Sequence, residues 1–442
     1  MIRAVESGSP EHLLAPAPNE ARRITLDQAM AEAPFYRSWQ AVDPGPAVPV
    51  EARFRALPIL TRRDVRAHLP DGFALGGRRA ADGLADGEAQ IVTTSGTSGE
   101  RLSIVWHQPW WDGSEAAAAR LHTVLEELWR GPRREAVLTT PLCGVSACHI
   151  VTSTMEQRTE GDLLFLNQSP DPTAWDDATI ARIAAELAAF QPAVLEADPA
   201  YLALLCRRAV RQGLSLFQPR CIVLTYELPT LLHHRWIARG FPGVTVVSSY
   251  GSTETGHVFT QCESGLLHQN TATCHVDVQH LRPDRGDADT VRLLVSTLGN
   301  PWFTLLRFDV GDLARLSLEP CPCGRSDGLV LRSMEGRLRD ATLDVRGRLV
   351  TAAALDRALA DITGLVSYQV SQSGPRAFEA RYVAEDDDDG ETAAALGTAL
   401  ARLYGDGAAV ALRREKAIPP EQSGKFRLAR CACLPKPEEL FA

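Results

Sequence analysis

Residues 91–106 read IVTTSGTSGERLSIVW, and seven consecutive positions, Thr93 to Gly99, hold only Thr, Ser or Gly. A loop of this composition directs several backbone N–H groups and hydroxyls at one point, which suits the oxygens of a phosphate. Gly96 and Gly99 permit positive φ and close approach of a ligand. The stretch does not follow the Walker pattern GxxxxGK[ST]. Taken alone, it fits a solvated surface turn equally well.

The composition is that of an ordinary globular protein, with 442 residues of which 45% are hydrophobic and 23% charged. This length favours two or three domains. The net charge of −9 argues against a protein that coats nucleic acid. The N-terminal stretch lacks a basic-then-apolar signal pattern, and no apolar run approaches the roughly 20 residues needed to cross a bilayer. We therefore expect a cytoplasmic protein with no membrane partner, in which the ten cysteines are reduced thiols or metal ligands.

From about residue 91 the chain alternates between helical and strand-like patterns. Residues 178–190 have helical periodicity. The next helix is predicted to take Asp198 as its N-cap and to stop at Gly213. Strand-like runs follow at 221–225 and 244–249. The pattern predicts an α/β fold with a partly parallel sheet covered by helices.

The pattern breaks near residue 335. Beyond it, strand-like runs at 366–372 and 377–384 precede an alanine-rich helix at 391–404 and a strand at 409–415. This is a compact α+β unit of ordinary domain size. We expect a large N-terminal domain over residues 1–334 and a small C-terminal domain over residues 335–442. The acidic run at 385–390 is interpreted as a solvated turn.

Four further stretches follow SGTSG (95–99) in a set order: SSYGSTETG (248–256), RFDVGDLARL (307–316), EGRLRD (335–340) and PPEQSGKFR (419–427). Together the five resemble the motifs of the adenylate-forming enzymes, the superfamily of acyl-CoA synthetases, peptide-synthetase adenylation domains and luciferases. The similarity is greatest to the phenylacetate-CoA ligase-like branch and extends from about residue 33 to 430. It implies a large adenylate-forming domain followed by a small mobile domain.

The resemblance assigns a role to each matched position. The loop would fold over the β- and γ-phosphates of ATP, Lys425 would reach the α-phosphate and the attacking carboxylate, and Glu254 would hold Mg²⁺, a cation that prefers oxygen ligands. Lys425, Glu254 and Thr253, a phosphate ligand, are the implied catalytic residues. The implied ATP-binding residues are Ser95, Gly96, Thr97, Ser98, Gly99, Glu227, Tyr250 (adenine), Gly251, Ser252, Asp312 (ribose) and Arg337 (ribose or α-phosphate).

The implied reaction joins a carboxylate to AMP with release of pyrophosphate. Cations must neutralise the charge that develops when one anion attacks another. The branch favours aryl and arylacetic acids, so an aromatic carboxylate with coenzyme A as acyl acceptor is the first hypothesis. In a second, the activated substrate passes to a carrier-protein thiol, an amine, a hydroxyl or a nitrogen oxide. A third, a catalytically inactive nucleotide-binding protein, is disfavoured by the presence of Glu254, Asp312, Arg337 and Lys425 together. The resemblance also allows a homodimer.

The sequence departs from the family pattern at three places. The phosphate loop continues with Glu100 and Arg101 where many relatives have Lys. The hinge reads GRLRD where relatives often read GRxD, so either Arg339 or Asp340 is the hinge residue. Tyr226 replaces a small residue that borders the adenine in relatives. We expect Tyr226 to crowd the nucleotide or to reshape the acyl pocket.

Cysteine and histidine spacing predicts a zinc site. CESGLLH supplies Cys262 and His268, and CPCG supplies Cys321 and Cys323. Thiolate and imidazole are the ligands that zinc prefers in a closed tetrahedral site, and some members of the resembled branch have zinc here. Four incidental buried side chains would explain the pattern as well, and Cys274 and His275 are alternative ligands. A second C-x-C, at Cys431 and Cys433, is interpreted as ordinary.

The acyl pocket is predicted along LTTPLCGVSACHIV (138–151). The candidate substrate-binding residues are Cys143, Gly144, Ser146, His149 and Tyr226. Small side chains there would leave room for a ring. His149 fits a buried core histidine as well as a substrate ligand. Three tryptophans, at 106, 110 and 111, are interpreted as packing residues.

Overall fold

A computed structural model describes residues 18–94, 102–141, 153–385 and 390–442. Within these ranges the chain forms twelve α-helices and twenty β-strands. The helices are α1 (Pro18–Glu32), α2 (Val50–Ala56), α3 (Arg62–His68), α4 (Ala80–Ala85), α5 (Gln108–Ala119), α6 (Thr123–Trp129), α7 (Asp177–Phe190), α8 (Pro199–Arg211), α9 (Leu231–Gly240), α10 (Ala352–Leu359), α11 (Glu391–Tyr404) and α12 (Pro437–Leu440).

The strands fall into one large sheet, one small sheet and two isolated hairpins. The first half of the chain contributes β1 (Gln90–Thr93), β2 (Ser103–Trp106), β3 (Glu135–Leu138), β4 (Thr159–Glu160), β5 (Leu163–Phe165), β6 (Val194–Ala197) and β7 (Cys221–Leu224). The middle contributes β8 (Thr245–Ser252), β9 (Gly256–Gln261), β10 (Leu267–Gln269), β11 (Cys274–His280), β12 (Thr290–Thr297), β13 (Phe308–Leu316) and β14 (Val330–Arg337). The last part contributes β15 (Thr342–Leu343), β16 (Leu349–Val350), β17 (Leu365–Gly374), β18 (Ala377–Ala384), β19 (Ala409–Arg414) and β20 (Ala429–Cys431).

The large sheet has twelve strands in the order β11-β12-β13-β14-β10-β9-β8-β7-β6-β3-β5-β4. Strands β5, β3, β6, β7 and β8 run parallel, whereas β8 pairs antiparallel with β9. β8 therefore joins a parallel half to an antiparallel half. The predicted α/β class and the partly parallel sheet are confirmed.

Helices α7 and α8 cover the parallel half, where Leu187 and Leu205 pack with Leu138 and Ile222 of the strands. These strands are apolar because a parallel sheet with helices packed against it is buried. α8 begins where the sequence predicts: the Asp198 carboxylate accepts hydrogen bonds from the backbone N–H groups of Ala200 and Tyr201. Gly213 follows this helix with φ of 67°. None of the helices in the described ranges is long and apolar enough to span a bilayer.

The small sheet has the order β19-β18-β17-β20 and is covered by α10 and α11. All the strands and the long helix predicted between 366 and 415 are present. β14 ends at Arg337, so residues 335–337 lie on a strand of the large sheet, and the small unit follows them. Of the acidic run at 385–390, residues 386–389 lie outside the described residues.

Buried Glu335 connects the last strand of the large sheet to α10. Its carboxylate accepts two hydrogen bonds of 3.0 Å from the Arg357 guanidinium. The chain turns here into the small unit. Gly336, with φ of +90°, has no room for a side chain, because a Cβ atom would lie 2.9 Å from the Ala352 Cβ. The glycine of the EGR motif is therefore required by both backbone conformation and close packing.

Candidate active site

A cavity of about 630 Å³ lies where the large sheet meets the small unit. Its walls come from the ends of β7 and β8, from β13 and β14, and from the loop that contains Lys425. Nine of the sequence-predicted site residues line it: Tyr226, Glu227, Tyr250, Gly251, Ser252, Glu254, Asp312, Arg337 and Lys425. Thr253 lies beside them in the chain but does not line the cavity. The structure thus brings together four motifs that are far apart in the sequence.

One end of the cavity carries a phenol, a carboxylate and a guanidinium. Asp312 and Arg337 are directly opposite on the paired strands β13 and β14, and their side chains approach to 3.5 Å. The Tyr250 hydroxyl donates a hydrogen bond of 2.9 Å to the Asp312 carboxylate. Burial raises the pKa of Asp312, while the Arg337 charge and the Tyr250 hydrogen bond oppose that rise. An aromatic face beside a hydrogen-bond acceptor suits a base and a ribose.

The cavity wall also carries Glu254, whose side chain is 7% exposed. Arg62, at the start of α3, makes an ion pair with this carboxylate. The same guanidinium lies 3.5 Å from the Thr94 hydroxyl. Thr94 immediately precedes the predicted phosphate loop, and residues 95–101 lie outside the described residues. This part of the wall therefore combines a carboxylate with a cation next to the Ser/Thr/Gly stretch.

The Lys425 loop belongs to the small unit but is held by groups of the large domain. The Tyr201 hydroxyl donates a hydrogen bond of 2.9 Å to the Gly424 carbonyl. The Phe426 backbone N–H donates one of 2.6 Å to the Glu227 carboxylate. The Phe426 ring packs against the core of α7 and α8, edge-on to Tyr201. These contacts fix the backbone on both sides of Lys425.

The Lys425 ammonium itself donates a hydrogen bond of 3.0 Å to the Tyr226 carbonyl. Tyr226 has φ of 74°, a left-handed conformation that is unfavourable for a bulky residue. This conformation gives a physical reason for the small residue found here in the resembled family. The Tyr226 hydroxyl hydrogen-bonds to the Glu196 carboxylate on β6. Tyr226 lines the cavity, as expected; its effect on the nucleotide or on the acyl group stays a prediction.

Two carboxylates influence the electrostatics around Lys425. Asp198 is fully buried, and one of its oxygens has no hydrogen-bond partner among the described residues. Burial raises the pKa of Asp198, and the nearby Lys425 charge opposes the rise. Burial likewise raises the pKa of Glu227, and the Asp198 charge raises it further. The Lys425 charge lowers the pKa of both carboxyl groups, because it stabilises their ionised forms in a poorly solvated site.

The candidate acyl-pocket residues Cys143, Gly144, Ser146 and His149 lie within 142–152, outside the described residues. Buried Thr140 comes just before this segment and lies close to Gly424. Thr140 thus lies against the Lys425 loop.

A metal-ligand cluster lies beside the cavity. The Sγ atoms of Cys262, Cys321 and Cys323 and one His268 ring nitrogen lie within 4.8 Å of one another. Cys262 Sγ is 3.6 Å from Cys321 Sγ, and Cys323 Sγ is 3.3 Å from the His268 Nε2. A tetrahedral zinc ion with Zn–S bonds of about 2.3 Å places sulfur atoms about 3.8 Å apart. The donor types and spacing therefore fit a zinc ion.

The alternative ligands do not join this cluster. Cys274 is buried, with its thiol 3.2 Å from the Asn270 carbonyl, and His275 packs against Phe54. Cys431 and Cys433 lie 3.5 Å apart at the end of the small sheet, outside the four-residue cluster. The tryptophans contact protein groups: the Trp106 and Trp111 rings are tilted by 37° with centroids 4.3 Å apart, and Trp110 donates a hydrogen bond to the Leu298 carbonyl.

Sequence reasoning missed Arg62, Asp198 and Tyr201 as residues of the site. Arg62 lies in LTRRDVR, to which sequence reasoning assigned no role in the site. The sequence pattern predicts Asp198 as the N-cap of a helix and Tyr201 in its first turn, and the structure has them there. Their position beside Lys425 arises only from the packing of the small unit against α8.

Comparison with solved structures identifies the fold. A 2-hydroxyisobutyryl-CoA ligase in the postadenylation state, in complex with 2-HIB-AMP, superposes with a TM-score of 0.70 at 18% identity, covering 94% of this chain and 89% of that chain. An anthranilate CoA ligase in complex with anthranoyl-AMP gives 0.51 at 11% identity, covering 77% and 65%. Neither protein-family models nor curated sequences gave a match. The chain has the fold of acyl-CoA ligases and other adenylate-forming enzymes.

The same 2-hydroxyisobutyryl-CoA ligase, in its thioesterification state with CoA, gives a TM-score of 0.54 at 18% identity, covering 94% of this chain and 88% of that chain.

Gly424→Ala is expected to release the Lys425 loop from the large domain. Gly424 has φ of +78°, and a Cβ atom would lie 2.1 Å from the Thr140 Oγ1. A strain of about 1–3 kcal/mol raises the population of the locally open state by about 5- to 150-fold. The chain contains only three lysines, at 416, 425 and 436. A lysine-specific protease, with fragments identified by mass spectrometry, therefore reports cleavage at Lys425 against the exposed Lys416.

Gly347→Ala is the matched control. Gly347 has the same φ of +78°, and its Cβ would meet only the end of the flexible Arg285 side chain, at 3.4 Å. We expect this control to leave cleavage after Lys425 unchanged. Equal cleavage rates in both variants would contradict the docking of the loop.

Proposed function

We propose that this protein is an ATP-dependent, AMP-forming ligase that activates an aromatic carboxylate and transfers the acyl group to coenzyme A. The observation that carries the proposal is the position of Lys425 in one cavity with Tyr250, Asp312, Arg337 and Glu254. A protein that only bound the nucleotide would not need an ammonium group delivered from a separate domain.

The proposed first step is attack of a carboxylate oxygen on the α-phosphorus of ATP. A new bond joins acyl oxygen to phosphorus, the bond to the β-phosphate oxygen breaks, and pyrophosphate leaves with the electron pair. Tyr250, Asp312 and Arg337 hold the nucleoside. Lys425 neutralises charge that develops on the α-phosphate and on the attacking carboxylate, an electrostatic contribution worth several kcal/mol in a preorganised site. Glu254 would hold Mg²⁺, which supplies further positive charge to the triphosphate.

The proposed second step requires the small domain, residues 335–442 in the division proposed from the sequence, to turn about the segment after Gly336. Lys425 then leaves the cavity, and the thiol of coenzyme A attacks the acyl carbon while AMP leaves. The contacts that must break are the hydrogen bonds of the Lys425 loop to Tyr201, Tyr226 and Glu227. Arg427 forms an ion pair of 2.6 Å with Asp340 within the small unit. This ion pair is therefore kept when the small domain turns.

An aromatic acid is supported by the resemblance to the aryl-acid branch and by the likeness to an anthranilate CoA ligase. Coenzyme A is supported by the likeness to a ligase solved with CoA. A second candidate keeps the adenylation step but passes the acyl group to a different acceptor. The left-handed Tyr226, which stands in place of a small residue, favours it, because a phenol there changes the cavity that the acceptor must enter.

Pyrophosphate release over a panel of aryl, arylacetic and aliphatic acids tests the proposal. We expect release with at least one aromatic acid, formation of AMP and stimulation by coenzyme A. Pyrophosphate release at the same rate with and without coenzyme A would support the second candidate. No release with any acid, with or without coenzyme A, would contradict the adenylating activity itself.

Lys425→Ala is expected to lower pyrophosphate release by at least about 100-fold, because removing one preorganised charge at a transition state costs roughly 3–4 kcal/mol. ATP affinity, measured by calorimetry, should stay within about three-fold, since Tyr250, Asp312 and Arg337 are unchanged. The control is Lys416→Ala, which removes an exposed ammonium from the same domain. Full activity of Lys425→Ala would rule out the proposed role.

We also propose that Cys262, His268, Cys321 and Cys323 hold one structural zinc ion. The turn that they would fix reaches the cavity through Gln261, whose side chain accepts a hydrogen bond of 3.1 Å from the Ser248 backbone N–H on β8. Four protein ligands complete a tetrahedral site and leave no open position for catalysis.

Metal analysis of the purified protein should find about one zinc per chain, because the donor set is that of a closed structural site. Cys323→Ser is expected to lose most of the metal and to lower the thermal unfolding midpoint. Cys433→Ser, which changes the second C-x-C, should retain the metal and the wild-type unfolding midpoint. A folded, active wild-type protein without bound metal would contradict the zinc assignment.

A further inference from the structure

Arg62 lines the cavity from the start of a capped helix. It is the first residue of α3, which begins with a capping box between Thr61 and Asp64. Leu60, two residues before Arg62, forms a β-bridge with Phe308 at the start of β13. This bridge ties the segment before α3 to the large sheet. The backbone of Arg62 is thus fixed relative to the strand that carries Asp312.

The Arg62 side chain points its donors into the cavity. It lines the cavity wall, and its side chain is 32% exposed. One terminal nitrogen pairs with Glu254 and lies 3.5 Å from the Thr94 hydroxyl. The Nε–H group is buried and has no hydrogen-bond partner among the described residues. An unpaired buried donor on a charged group is costly, so an acceptor is expected to fill this position when a ligand binds.

The electrostatics point to an anionic ligand. Within the described part of the chain, Arg62 is the one cation within 4.0 Å of the Glu254 carboxylate. The Arg62 guanidinium contacts both the Glu254 carboxylate and the hydroxyl of Thr94, the residue directly before the loop at 95–99. Its planar fork of donors matches the oxygens of a phosphate better than a point charge does. Tyr250 and Asp312, the proposed nucleoside ligands, line the same cavity.

We propose that Arg62 binds the β- and γ-phosphates of ATP, and that Glu254 holds its guanidinium in the cavity before the nucleotide arrives. This inference rests on the proposed function, because it assumes ATP as the nucleotide. Arg62 contacts the triphosphate beyond the α-phosphate, so it contributes to the binding of ATP but not to that of AMP. Arg62 is then a substrate-binding residue to which the sequence analysis gave no role.

The test compares ATP and AMP binding by isothermal titration calorimetry in one magnesium-containing buffer. Arg62→Gln removes the charge and the fork, and Arg63→Gln removes an exposed arginine next to it on the same helix. Loss of charge-assisted hydrogen bonds to a phosphate should weaken ATP binding of Arg62→Gln about 10- to 100-fold. AMP binding by Arg62→Gln, and the binding of both nucleotides by Arg63→Gln, should stay within about two-fold of wild type.

A conservative variant separates the contribution of the positive charge at position 62 from that of the planar guanidinium donors. Arg62→Lys retains one positive charge but loses the fork, so its ATP affinity should lie between those of wild type and Arg62→Gln. Unchanged AMP affinity in Arg62→Gln also shows that the nucleoside site is still folded.

Three results would overturn the inference, and they differ in what else they affect. Wild-type ATP affinity in Arg62→Gln would remove Arg62 from the triphosphate site and leave the proposed function standing. Equal weakening of ATP and AMP would make Arg62 a structural residue only. Absence of ATP binding by the wild-type protein would remove both this inference and the proposed function.

Discussion

The docking of one loop of the small domain against the large domain determines whether the cavity is a site at all. Gly424 and Phe426 are held by a tyrosine hydroxyl and a glutamate carboxylate, and the Lys425 ammonium lies between them on the Tyr226 carbonyl. Without these contacts the cavity would keep Tyr250, Asp312, Arg337 and Glu254 but would lose the Lys425 ammonium. The Lys425 charge opposes the rise in pKa that burial causes at Asp198 and Glu227.

The large sheet supplies the fixed part of the same arrangement. β8 changes the sheet from parallel to antiparallel, and ligands of α/β proteins gather at the carboxyl ends of such strands. Tyr250 lies near the end of β8, and the register of β13 with β14 sets Asp312 opposite Arg337. The groups that would hold a nucleoside thus stand on strands, which position side chains more precisely than loops do.

Much of this architecture follows from local sequence signals. The capping of α8 by Asp198 and the elements of the small unit were predicted where they occur, because capping residues and periodicity act within a few neighbouring residues. The motifs that line the cavity were found for a related reason: their chemistry requires particular residue types in order. The choice between Arg62 and Arg63, the second role of Asp198 and the left-handed Tyr226 could not be predicted. They depend on contacts between segments more than a hundred residues apart, which no local pattern records.

A crystal structure of the protein with ATP and magnesium tests the central claim most directly. The account predicts adenine against Tyr250, ribose hydroxyls within hydrogen-bond distance, about 3 Å, of Asp312, and the Lys425 ammonium on an α-phosphate oxygen after leaving the Tyr226 carbonyl. A nucleotide bound outside this cavity, or one bound inside it with Lys425 unable to reach the α-phosphate, would contradict the account.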